Sequence, residues 1–183
     1  MKILPTGLDG ALIIEPDAHG DNRGFFMETF QKKRYAAAGI DVEFVQDNIS
    51  FSVRHTLRGL HFQQPHGQAK LVQVLDGEIY DVAVDIRRGS PTFGQWAGVL
   101  LSGENRRQFY LPQGFAHGFC VVSQTALFMY KCSDYYAPEC EGGINWNDPD
   151  LAIPWPVRTP VLSERDESFP PLGAIDTRRL PVY

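Results

Sequence analysis

Apolar and polar residues alternate with a period of two through most of this chain, in short segments. The clearest is 78–85, where Ile79 and Tyr80 lead into Asp81, Val82, Ala83, Val84 and Asp85. Such alternation marks a strand with one buried face. On that basis ten strands are predicted, at 11–14, 24–30, 45–51, 57–62, 70–75, 78–85, 95–100, 107–111, 118–122 and 126–132. Gly89-Ser90-Pro91, Gly103-Glu104-Asn105 and Pro112-Gln113-Gly114 punctuate the later ones, and Asp76-Gly77 reads as a hairpin turn ahead of 78–85. One helix is predicted over 31–38, favoured by Ala36-Ala37-Ala38 and stopped by Gly39. Prolines thicken from Ala137 onward, so that stretch is expected to wrap the body as an irregular tail. Short strands at regular spacing predict a mainly β fold, a sandwich or barrel of the jelly-roll kind.

Composition narrows the function classes. A chain of 183 residues with 43% hydrophobic content reads as a single domain, 1–183, with a sizeable core. A formal charge of -5 argues against nucleic acid as a partner, since that footprint is a basic patch or stripe. A small anionic ligand remains compatible, because a few placed arginines outweigh a mildly acidic average. Cys120, Cys132 and Cys140 form no Cys-x-x-Cys pair and read as reduced thiols. Pro5, Gly7, Asp9 and Gly10 interrupt the start, and no apolar run is long enough to span a membrane, so a cytoplasmic protein is expected.

The densest chemistry lies in Arg58-Gly59-Leu60-His61-Phe62-Gln63 and Lys70, expected on two neighbouring strands joined by a short loop. A histidine beside a lysine suits carbon-acid chemistry: one takes a proton, the other holds the enolate oxygen. Read singly, His61 equally suits a hydrogen-bonded structural histidine, and Lys70 a solvent-facing edge lysine. Asp166 in the tail offers a carboxylate to orient His61. Tyr130 shares a predicted strand face with Phe128 and Cys132, where a phenol can return a proton to a carbanion or simply form an amphipathic rim. Arg23, Phe26 and Glu28 are expected on one strand, either as a charged edge or as groups for a phosphate, a base and an amide. Gln46-Asp47-Asn48 adds amides able to read a pyrimidine.

Pro112-x-Gly114-x-x-His117 resembles the second motif of the cupin superfamily, whose members are double-stranded β-helix jelly rolls. The first cupin motif departs from the metal-binding pattern. Counting back from Gly77 puts Lys70 where a glutamate ligand belongs, and His61-Phe62-Gln63 supplies no His-x-His pair. A cation in that place repels a divalent metal, so no metal is expected.

The ordered set Gly24-Phe25-Phe26-Met27-Glu28-Thr29-Phe30, Gln46-Asp47-Asn48, Leu57 to Gln63, Lys70-Leu71-Val72 and Asp81-Val82-Ala83-Val84-Asp85 resembles the dTDP-4-dehydrorhamnose 3,5-epimerases. Ser90-Pro91-Thr92-Phe93-Gly94, Gly114 to Phe119, Tyr130-Lys131, Tyr135-Tyr136, Trp146-Asn147-Asp148-Pro149 and Leu162-Ser163 extend the likeness over nearly the whole chain. Three departures stand out: a shorter stretch between Gln63 and Lys70, Gly142 in place of a frequent arginine, and Arg165 where lysine is common.

The resemblance implies that His61, partnered by Asp166, removes the protons at C3 and C5 of a 4-keto sugar. It further implies that Lys70 holds the enolate at O4 and that Tyr130 returns a proton at C5. Arg23, Glu28, Gln46, Asn48, Arg58, His117, Glu141 and Arg165 would hold the nucleotide sugar, with Phe26 and Tyr136 sandwiching thymine. The segment bearing Arg23, Phe26 and Glu28 would reach a neighbouring subunit's site, which implies a homodimer. The reaction is redox-neutral, and no Gly-x-Gly-x-x-Gly loop occurs, so no cofactor is expected. Competing readings are a 3-only or 5-only epimerase of another deoxysugar pathway, a cupin that only binds a nucleotide sugar, and a metal-dependent cupin oxygenase, which Lys70 disfavours.

Overall fold

The computed structural model describes residues 1–183. In chain order its elements are β1 (Lys2–Pro5), β2 (Leu12–Glu15), β3 (Ala18–Asp21), β4 (Gly24–Met27), helix α1 (Lys32–Ala37), β5 (Gln46–Val53), β6 (Leu57–Gln63) and β7 (Lys70–Asp76). There follow β8 (Glu78–Asp85), β9 (Trp96–Ser102), β10 (Gln108–Leu111), β11 (Phe115–Val121), β12 (Thr125–Cys132), β13 (Glu141–Gly143) and helix α2 (Glu164–Ser168). A six-stranded sheet runs β1-β2-β10-β7-β12-β5, a five-stranded sheet runs β13-β6-β11-β8-β9, and β3-β4 form a separate ribbon. All these pairings are antiparallel. The architecture is a cupin-like jelly roll.

The strands form where the alternation places apolar side chains between the sheets. Val72, Val74, Ile79, Phe109, Phe119 and Phe128 belong to one core cluster drawn from both sheets. Burying side chains of this size contributes about 1.5–3 kcal/mol each. The outer face of the five-stranded sheet is covered by the tail, where Ile144, Leu151, Leu172 and Leu180 join Leu60, Phe62, Val82 and Val84. On the other side, Tyr35 of α1 packs with Ile14, Leu71 and Tyr110. Helix α1 has Gln31 as N-cap, its side chain accepting the Arg34 N–H at 2.6 Å, and Gly39 follows at φ +90°, which matches the helix predicted over 31–38.

Two expectations about connections are corrected. Asp76-Gly77 closes no hairpin, because β7 and β8 belong to different sheets. Gly77, at φ +80°, carries the chain across the sandwich, and a Cβ there would meet the Thr125 carbonyl at 2.1 Å. Similarly, β6 and β7 are not sheet neighbours; residues 64–69 cross from one sheet to the other. The strand predicted over 24–30 ends at Met27, because Phe30 turns inward against Tyr35 and Phe44, with ring centroids 5.0 and 5.1 Å away. Arg23 and Glu28 therefore flank β4 and are not part of it. Strands β1, β3 and β13 and helix α2 escaped prediction; each is very short.

Candidate active site

A cavity of about 330 Å³ opens between the two sheets at one end of the sandwich. Strand β6 contributes Arg58, His61 and Gln63; β5 contributes Gln46, Asn48 and Ser50; β12 contributes Phe128, Tyr130 and Cys132. The alternation of β5 explains its share: Gln46, Asn48 and Ser50 point in, while Asp47, Ile49 and Phe51 are exposed. Lys70 opens β7 from the six-stranded sheet, so it and His61 line the cavity from opposite sheets.

His61 Nε2 lies 2.5 Å from Asp166 Oδ1. Helix α2 fixes that carboxylate: Ser163 is its N-cap and accepts the Asp166 N–H at 3.2 Å. Burial alone would raise the Asp166 carboxyl, but the His61 hydrogen bond and charge outweigh it and hold the group below the usual carboxylate range. An ionised carboxylate can only accept, so Nε2 carries a proton, and in the neutral ring Nδ1 is the nitrogen with the lone pair. The carboxylate thus fixes the orientation of the ring.

Lys70 is buried deeply enough that desolvation pushes its ammonium pKa down, against the opposing pull of the Cys132, Asp81 and Glu141 charges. Burial raises the Tyr130 phenol, which keeps it protonated and able to donate. A second pair has His117 in the cavity wall, its Nε2 3.0 Å from both carboxylate oxygens of the buried Asp81. At the mouth, Tyr136 Oη donates to Glu141 Oε2 at 3.0 Å, and Arg165 pairs with the same carboxylate. Arg58 Nε donates to Ser52 Oγ at 3.1 Å.

Ten of the residues singled out from sequence line this cavity: Gln46, Asn48, Arg58, His61, Lys70, His117, Tyr130, Tyr136, Glu141 and Arg165, with Asp166 behind His61. Arg23, Phe26 and Glu28 are not brought to it. Arg23 pairs with Asp21 at 2.5 Å, Phe26 is 72% exposed, and Glu28 contacts Arg34 at 3.0 Å. Within one chain, Phe26 and Tyr136 form no sandwich, because the β3-β4 ribbon stands apart from both sheets. Asp81, Cys132, Gln63 and Gln68 were given no site role from sequence. Asp81 carried a usable signal, a carboxylate inside the otherwise apolar run of β8. No group of three or more His, Cys, Asp or Glu side chains gathers anywhere as a metal cradle.

A histidine on one sheet, a lysine on the other and a protonated phenol are together able to remove and return a proton beside a carbonyl whose oxygen is held. Comparison with known proteins bears on what that carbonyl compound is. Residues 5–174 match the family described as dTDP-4-dehydrorhamnose 3,5-epimerase. The enzyme of that name from Methanothermobacter thermautotrophicus is 51% identical, over 100% of this chain and 97% of its own. The one from Shigella flexneri is 53% identical, covering 91% of this chain and 93% of its own. Among solved structures, the dTDP-6-deoxy-D-glucose-3,5-epimerase of Legionella pneumophila Philadelphia 1, in complex with dTDP-4-keto-L-rhamnose, superimposes with a TM-score of 0.97. It is 57% identical and matches 100% of this chain and 98% of its own.

Proposed function

The chain belongs to the dTDP-4-dehydrorhamnose 3,5-epimerase family, and from that premise we propose that it epimerises dTDP-4-keto-6-deoxy-D-glucose at C3 and C5. The product is dTDP-4-keto-L-rhamnose, and the step belongs to dTDP-L-rhamnose biosynthesis. The observation that carries the reading is that His61, hydrogen-bonded to Asp166 behind it, lines one cavity with Lys70 from the facing sheet.

His61 Nδ1 takes the proton from C3, and in a second cycle from C5. Both carbons are α to the C4 ketone, so each loss yields an enolate with its charge on O4. Lys70 holds that oxygen; one preorganised donor of this kind contributes about 3–4 kcal/mol. Tyr130 returns a proton at C5 from the opposite face, solvent water supplies the one at C3, and His61 releases each proton it has taken to solvent. General base and general acid each add on the order of 10²–10⁴-fold. Gln46, Asn48, Arg58, His117, Tyr136, Glu141 and Arg165 hold the nucleotide and its pyrophosphate.

The active assembly is a homodimer in which Arg23, Phe26 and Glu28 complete the partner's site. Two features support it. The exposed Phe25 and Phe26 sit on a ribbon outside both sheets, and β5, an edge strand, exposes Ile49, Phe51 and Val53 in a row. The whole of 1–183 acts as one domain. No helix is long and apolar enough to cross a membrane, and three unpaired cysteines suit a reducing cytoplasm.

The test is incubation with dTDP-4-keto-6-deoxy-D-glucose in D₂O, followed by NMR of C3 and C5. Deuterium at both carbons, with the L-lyxo product trapped by a reductase, supports the assignment. Label at one carbon makes the protein a single-site epimerase, and none, with binding intact, makes it a nucleotide-sugar binder.

A further inference from the structure

The segment that carries Tyr136 has an unusual means of support. Strand β12 ends at Cys132 and β13 begins at Glu141, so residues 134–137 have no ladder to satisfy their backbone. Three glutamine side chains supply the missing partners. Gln68 Nε2 donates to the Asp134 carbonyl at 2.9 Å. Gln63 Nε2 donates to the Tyr135 carbonyl at 3.2 Å, and its Oε1 accepts the Ala137 N–H at 2.9 Å. Gln46 Oε1 accepts the Tyr136 N–H at 3.0 Å. Four consecutive residues are thus held by amides from β5, β6 and the crossing between β6 and β7.

Gln63 is the centre of this arrangement. Its side chain is buried, and its remaining N–H donates to the His66 carbonyl at 2.8 Å, so one amide joins the 64–69 crossing to the 134–137 strap. Each of its polar atoms is engaged with backbone. Both ends of the amide are fixed by groups that can act in one sense only: a carbonyl accepts and a backbone N–H donates, so the side chain has a single satisfied orientation.

We infer that Gln63, with Gln68, is a positioning residue for nucleotide binding. It acts by holding the strap that presents Tyr136 at the cavity mouth: although it lines the cavity, its amide oxygen and nitrogen are both engaged with backbone. The inference rests on the reading in which Tyr136 contacts the nucleotide. Loss of the clasp leaves backbone groups unpaired and lets Tyr136 sample other positions, so that binding must order the strap first. Affinity then falls while the reaction at His61 and Lys70 proceeds as before.

The experiment is a double-mutant cycle on dTDP affinity, by calorimetry, with KM and kcat measured alongside. Gln63→Met should weaken dTDP roughly 10-fold and raise KM in step, with kcat within about twofold. Tyr136→Ala should weaken dTDP to a similar extent. Combined, the two should lose no more than about twofold beyond Tyr136→Ala alone, because Gln63 acts through Tyr136. Full additivity, or unchanged affinity in Gln63→Met, would overturn the inference while leaving Tyr136 as a binding residue. Unchanged affinity in Tyr136→Ala would overturn the Tyr136 reading and the inference with it. Where Gln63→Met does not yield folded protein, Gln68→Met, at the rim, runs the same cycle with the same criteria.

Discussion

Replacing Asp166 by Asn removes a charge and keeps the shape, which isolates what the carboxylate does for His61. In the parent the two are 2.5 Å apart, and the Asp166 side chain is only 4% exposed. In the proposed reaction His61 takes a proton from the sugar, and an imidazolium forms beside that carboxylate. A hydrogen bond to a charged partner contributes about 1.5–3 kcal/mol. Unit charges about 4 Å apart at an effective dielectric of about 20 interact by about 4 kcal/mol. Both figures describe one contact, so they bound the effect and are not summed. About 3–4 kcal/mol then falls on proton removal, a loss of roughly 10²–10³-fold in kcat. The amide can also turn its NH₂ toward Nε2, which would place the ring proton on Nδ1 and remove the lone pair the reaction needs. The assay is deuterium uptake at C3 and C5 in D₂O by NMR, with dTDP affinity and thermal unfolding as controls. Both carbons should slow alike, with dTDP affinity little changed. A kcat within about threefold of the parent, or a loss confined to one carbon, would refute a single Asp166-supported base.

Lys70→Ala should cost far more turnover than nucleotide affinity, about 10²–10³-fold in kcat; equal losses in both would remove Lys70 from the enolate. Tyr130→Phe should suppress inversion at C5, read as loss of the C5-inverted product, while exchange at C3 continues. Asp85 is held at a pKa of about 2, because hydrogen bonds from Arg87, Ser90 and Thr92 outweigh the burial that would raise it. A depressed carboxylate stabilises above its unfolded pKa of 3.8 and loses that contribution as pH falls toward about 2. Asp85→Asn should therefore lower stability by about 2 kcal/mol at neutral pH, with the difference from the parent shrinking between about pH 4 and pH 2 in denaturant melts. Phe51, 62% exposed on the edge strand β5, tests the dimer: Phe51→Glu should shift the protein toward monomer in light scattering and lower activity with it, whereas a parent that already runs as a monomer ends the shared-site reading.

Much of the molecule could be read from local pattern. The alternation in 78–85 marked β8 at its observed bounds, and Gly39 ended the helix where the structure ends it. Sheet membership could not be read this way. Asp76-Gly77 has the local chemistry of a hairpin turn, yet the chain there changes sheets. A turn's residues set its backbone angles but not which strands later close against it. Strands β3 (Ala18–Asp21) and β13 (Glu141–Gly143) hold no large apolar side chain, so no period registers there.

The site divides along the same line. His61, Lys70 and Tyr130 stood out because a cation, a base and a phenol on predicted strands are chemically conspicuous, and the family resemblance assigned their roles. Position in the chain says nothing of the 2.5 Å contact between His61 and Asp166, separated by 105 residues. Nor does it reveal that Gln63 ties two loops together, since a glutamine beside an apolar strand is ordinary until its partners are in place. Arg23, Phe26 and Glu28 mark the opposite case: their chemistry was legible, but the fold of a single chain keeps them from the cavity. Sequence determined which residues prefer strands and which carry reactive groups, because those properties belong to side chains and near neighbours. Tertiary structure alone decided which groups meet, because pairing depends on how two sheets stack and where the tail returns, and that is a property of the whole packed core.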